Sequence, residues 1–142
     1  RIAVQHEDGT YTSIYCHFDG YPAGVGAVLA GHYTDPAKVA QLLALGDLSS
    51  LGPEIGEPHP FGARDDAYAA WCTAYGRDRG ELGTEVKVSR SFGDLVTLTA
   101  DCWGEFLYVF ADSAWQGYGV RNDPAGAQPL PPDAIPTQGG NP

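Results

Sequence analysis

The run YCHFDGYPAGVG at residues 15–26 sets Tyr15, His17, Asp19 and Tyr21 against a turn that carries Gly20, Gly24 and Gly26. A turn needs glycine or proline to reach unusual or fixed φ values. It does not need an imidazole, a carboxylate and two phenols. Those groups suit a ligand with a planar ring and hydrogen-bonding edges. On a strand His17 and Asp19 share a face, so the carboxylate can orient the imidazole. Gly24 and Gly26 lead into Val25, Val28, Leu29 and His32 at helical spacing, and free N–H groups at a helix start can meet an anion. The same glycines would also serve if helix merely packs closely on sheet.

A second constellation is YGRDRGE at residues 75–81, which holds two of the eight basic residues. On a strand Arg77 and Arg79 would project from one face about 6 to 7 Å apart, a spacing that suits a phosphate or carboxylate. Tyr75 would add a stacking surface. A surface turn in which both arginines pair with Asp78 or Glu81 is the plainer alternative.

Catalytic patterns are poor. Cys16 and His17 point to opposite faces of a strand, so adjacency makes no Cys–His dyad. The sequence has no HExxH, GxSxG or CxxC, no Walker lysine and no GxGxxG fingerprint. No catalytic residue, metal ligand or cofactor is therefore assigned. Three cysteines, Cys16, Cys72 and Cys102, are an odd number and read as free thiols.

The elements that must position these groups follow from local patterning. At 142 residues with 43% apolar content, the chain fits one domain with a real core. Asp8-Gly9 joins two β-branched and aromatic stretches as an opening hairpin. Thr34-Asp35-Pro36 starts a second helix with the stripe Val39, Leu42, Leu43, which ends near Gly46. Residues 53–64 read as a surface loop and residues 67–75 as a strand. A short helix capped by Ser89 or Ser91 runs through Leu95 to Thr99. Phe106 to Phe110 is the strongest strand signal, with residues 115–120 as its hairpin partner. The order β-β-α-α-β-α-β-β predicts an α+β fold, a mostly antiparallel sheet with two or three helices on one face. Residues 1–121 form the domain. Residues 122–142, with six of the eleven prolines and no aromatic, form an extended tail held in a groove.

Eighteen acids against eight bases give a formal charge of −10, which disfavours duplex nucleic acid and anionic membrane as partners. No apolar run approaches the roughly 20 residues of a membrane span. With no leader-like segment, the expected compartment is the cytoplasm.

The segments YCHFDGYP, LGDLSSLG and YGRDRGE, with EFLYVF beyond them, together resemble a family of small accessory proteins encoded by tailed phages and prophages. The likeness spans most of residues 2–120. It implies a phage protein acting in the host bacterial cytoplasm, and small acidic proteins of that kind often block bacterial defence. One route is to sequester a nucleotide-derived immune signal, cyclic or ADP-ribose-like, without turnover. In that reading Arg77 and Arg79 hold phosphate, Gly24 and Gly26 donate N–H groups, and Tyr15, His17, Asp19, Tyr21 and Tyr75 contact base or ribose, in a pocket completed by homo-oligomers. Another route is an acidic surface that occupies a defence protein. A nucleotide-processing enzyme is the third. The first requires that residues 15–26 and 75–81 wall a single hollow.

Overall fold

The computed structural model describes residues 1–62, 66–120 and 126–136. It is an α+β fold with eight strands and four α-helices among those residues. In chain order these are β1 (Ile2–Gln5), β2 (Tyr11–Ile14), α1 (Ala27–His32), α2 (Pro36–Ala44), β3 (Leu48–Ser50), β4 (Thr73–Ala74), α3 (Tyr75–Arg79), β5 (Lys87–Ser89), α4 (Phe92–Asp101), β6 (Phe106–Ala111), β7 (Ala114–Val120) and β8 (Ala127–Pro129). Six strands form the main sheet in the order β5-β2-β1-β6-β7-β8, and β3 and β4 form a small second sheet.

Local chemistry accounts for most of the junctions. Gly9, at φ +86°, turns the first hairpin, and the Asp8 carboxylate accepts from Thr10 N at 2.9 Å. The Asp35 side chain caps α2 by accepting from Ala37 N at 3.0 Å, with Pro36 in the first turn. Ser91 caps α4 through Asp94 N at 3.1 Å. Asp112 and Ser113, both left-handed, make the two-residue turn between β6 and β7.

Every ladder of the main sheet is antiparallel except one: β1 runs parallel to β6, with Ala3 opposite Val109. This central pairing makes the sheet two-faced, because alternate residues point to opposite sides. Ile2, Tyr108 and Phe110 join Leu29, Tyr33, Val39 and Leu42 in one buried cluster, under α1 and α2. Ala3, Leu107 and Val109 join Leu95 of α4 in a second. The helices thus occupy both faces of the sheet rather than one, since α4 covers the side away from α1 and α2.

Two further expectations need correction. The strand expected at residues 67–75 is reduced to Thr73–Ala74, and the chain turns helical at Tyr75. Tail residues 126–136 belong to the packed domain: β8 pairs with β7, and Leu130 and Ile135 lie over Gly117, where an added Cβ would stand 2.9 and 3.3 Å from them. The remaining tail positions lie outside the described residues. Among the described residues, no helix is long and apolar enough to cross a membrane.

Candidate ligand-binding cleft

Residues 15–18 run alongside β3. Leu48 N donates to Tyr15 O at 2.7 Å, His17 N to Leu48 O at 3.0 Å and Phe18 N to Ser49 O at 3.0 Å. The Asp47 carboxylate fixes the same segment by accepting from Tyr15 N at 2.9 Å. The corner beyond is closed by Asp19, whose left-handed backbone at φ +59° lets its carbonyl accept from Val25 N at 2.8 Å. Gly24 is required there, because a Cβ at that position would collide with the Asp19 carbonyl. Tyr108 on β6 anchors the turn from below, its hydroxyl donating to Gly20 O at 2.7 Å. Tyr108→Phe is expected to cost about 1 kcal/mol. It should also raise hydrogen exchange at residues 19–26, as read by proteolysis-coupled mass spectrometry.

The corner forms one wall of a cleft of about 260 Å³ that contains Tyr15, His17 and Tyr21. The cleft is lined as well by the turn between α4 and β6, with Trp103 and Glu105, and by Arg1. Tyr15 Oη and His17 Nδ1 are 2.8 Å apart, and the Tyr21 hydroxyl donates to Asp19 at 3.1 Å. Burial raises the Tyr15 phenol, reinforced by Tyr75 and the cleft cysteines. The Cys16 thiol is pushed up to about 12 by burial. It is therefore protonated at neutral pH and not a nucleophile.

Trp103 reads from sequence, with Trp71 and Trp115, as a core or interface residue, and the structure corrects this. It is 84% exposed, and its backbone is left-handed at φ +59°. The position follows the last turn of α4, where Trp103 N donates to Ala100 O and Gly104 N to Thr99 O, both at 2.9 Å. Glycine is the usual occupant of such a position, and another residue in this conformation costs about 1–2 kcal/mol. A large aromatic in strained backbone at the mouth of a cleft is a feature of binding sites. Trp103→Gly is expected to raise unfolding stability by up to about 1 kcal/mol, once glycine's own entropy is counted, while weakening capture of a stacking ligand. Chemical denaturation and a binding assay on one preparation check the two effects together.

Gly24 and Gly26 are packing residues in this arrangement. Gly24 N donates to Tyr21 O at 3.0 Å, and a Cβ on buried Gly26 would stand 3.1 Å from the Tyr108 ring. The helix they introduce begins with a π-helical turn, Pro22–Gly26.

The arginine segment is built differently from its expected strand. Tyr75–Arg79 is a short helix, so Arg77 and Arg79 do not share a strand face. The Arg77 guanidinium is committed within the fold: Nε donates to Asp78 at 3.0 Å, Nη1 to Ile55 O at 2.8 Å and Nη2 to Cys72 O at 2.7 Å. It clamps the loop that contains Ile55 to β4 and α3. Arg79 pairs with Glu81 and lies over the rings of Phe61 and Tyr75, at 4.5 and 5.0 Å from their centroids. The two segments are near neighbours through β3, since Tyr75 N donates to Asp47 O at 3.2 Å. They nevertheless do not wall the same cleft, which contains none of Tyr75, Arg77 and Arg79, so the single hollow expected from sequence, with these arginines as its phosphate grip, is overturned. Among the described residues, no group of three His, Cys, Asp or Glu side chains could hold a metal ion.

No family model, curated protein or solved structure matches this chain.

Proposed function

We propose that the protein is a non-catalytic binder that captures a small nucleotide-derived molecule, cyclic or ADP-ribose-like, in the cleft between the aromatic corner and the α4–β6 turn, a reading that gives up the hollow shared with residues 75–81 and any phosphate role for Arg77 and Arg79. The phage context implied by the sequence resemblance makes that molecule an immune signal of the bacterial host, and self-association part of the same reading. The observation that carries the proposal is the placement of Tyr15, His17, Tyr21 and Trp103 around one cleft, with Trp103 held exposed in a costly conformation. Planar rings and a polar floor are what a base or ribose requires.

The test is capture. Purified protein is incubated with extract from bacteria with active defence, washed, heated and its supernatant read by mass spectrometry. An intact nucleotide, released by the native chain and at least about tenfold less by Trp103→Ala, is the expected result. A converted product would instead indicate an enzyme.

The charge of −10 favours a second reading, an acidic surface that occupies a basic site on a defence protein. That reading predicts salt-sensitive binding to a large partner, unaffected by Trp103→Ala.

A further inference from the structure

The cleft holds a buried cation with no acid in ion-pair contact among the described residues; Asp47 acts on it from beyond that distance. Arg1 is 6% exposed and lines the cleft directly. Its Nε donates to Ser13 Oγ at 3.0 Å, its Nη2 to Ser13 O at 3.3 Å, and its Nη1 faces Cys102 Sγ at 3.7 Å. A guanidinium has five N–H donors, and among the described residues three of them meet acceptors, all neutral, which leaves two. Among the described residues, the ion pairs are Arg77–Asp78 and Arg79–Glu81, with His59 Nδ1 3.6 Å from Asp78, and none includes Arg1. Glu105 lines the same cleft but stands on the exposed rim. Placing a charge out of water without a counter-ion is expensive. In a chain with eighteen acids and eight bases, nothing in composition forces one base to be left without an ion pair.

We infer that Arg1 is the anion-binding floor of the cleft, receiving the phosphate or carboxylate of a mononucleotide-sized part of the ligand, whose ring lies against Tyr21 and Trp103. This rests on the binding function proposed above and narrows its ligand class. The size follows from the volume: 260 Å³ is below the roughly 300–1,000 Å³ of pockets that enclose drug-sized ligands, so the enclosed part of the ligand is a ring with one anionic group, and the rest of a larger ligand would extend past the exposed Tyr21 and Trp103. The two spare N–H groups provide donors for an anionic oxygen, and the cleft's rings provide the stacking surface. Sequence analysis missed Arg1 because a single arginine ahead of a strand carries no pattern. Only the β1–β2 pairing brings it over Ser13, and only the end of α4 brings Cys102 to it.

The test uses quenching of tryptophan fluorescence, with the Trp103→Phe chain as the blank that isolates the Trp103 contribution from Trp71 and Trp115, by four probes: adenosine 5′-monophosphate, adenosine, inorganic phosphate and cyclic di-adenosine monophosphate. In the native chain the monophosphate should bind about tenfold or more tighter than adenosine, the advantage expected of a charge-assisted contact. Inorganic phosphate should compete with the monophosphate, and the cyclic dinucleotide should bind more weakly than it. Arg1→Gln should remove the monophosphate's advantage while leaving adenosine unchanged. Arg1→Lys, which keeps the charge without the fork, should retain part of it and controls for folding. Equal affinities for monophosphate and adenosine in the native chain would overturn the anion floor, as would an advantage that survives Arg1→Gln. Tighter binding of the cyclic dinucleotide would overturn the size assignment. If all four probes fail while extract capture still recovers a nucleotide, this inference falls and the binding function stands. Failure of both removes both.

Discussion

Asp78→Ala is expected to destabilise the fold by about 3–5 kcal/mol, the range for removing one partner of a buried ion pair. The Asp78 side chain is fully buried and accepts from Arg77 Nε, from Ala74 N at 2.8 Å and from His59 N at 3.2 Å. Alanine would leave these donors unmatched and the largely buried Arg77 guanidinium without its counter-charge. Asp78→Asn keeps the shape and should cost less. Urea unfolding of both variants checks the order. A pH dependence accompanies the loss. Burial pushes the Asp78 carboxyl upward, but Arg77 and the backbone N–H groups of Ala74 and His59 outweigh it, and the net result is below the ordinary value of 3.8. A lowered carboxylate contributes stability that is fully present above 3.8 and is lost as pH falls through its folded value. Native protein should therefore weaken below pH 3.8 more steeply than Asp78→Asn.

Gly24→Ala is expected to cost about 1–3 kcal/mol and to abolish capture. The methyl group would run into the Asp19 carbonyl, which is backbone and cannot rotate away. The corner would have to open, breaking the Val25 N to Asp19 O bond and displacing Tyr21 from the cleft. Gly20→Ala is the matched control, since a Cβ there meets nothing within 4 Å. Thermal unfolding and extract capture of the pair separate the effect of the collision from that of losing a glycine.

Elements governed by neighbours in sequence were legible, and elements governed by distant partners were not. The Asp8-Gly9 hairpin, the Asp35 and Ser91 caps and the β6–β7 hairpin follow from turn and cap chemistry that a few residues carry. The three-residue strands β3 and β5 have no local signature, because β3 is fixed by β4 and Tyr15 and β5 by β2, all distant in sequence. Residues 75–79 alternate charge as a strand might, yet they coil because Gly80, at φ +69°, accepts the left-handed position that ends a helix. The site divides the same way. Tyr15, His17 and Tyr21 were readable from composition along one stretch. Arg77 and Arg79 were readable as paired bases but not as structural ones, since Ile55, Cys72 and Phe61 lie in other segments. Trp103 left one trace: a tryptophan before Gly104, at the end of a helix where glycine itself would be expected.

The most direct measurement is a two-dimensional NMR map of the protein titrated with adenosine 5′-monophosphate. The account predicts that the largest shifts fall on the Trp103 indole, the His17 ring and the residues of the 15–21 corner, with the Arg1 guanidinium among them. Shifts centred on Phe61, Tyr75 and Arg79 instead, with the cleft unperturbed, would contradict it.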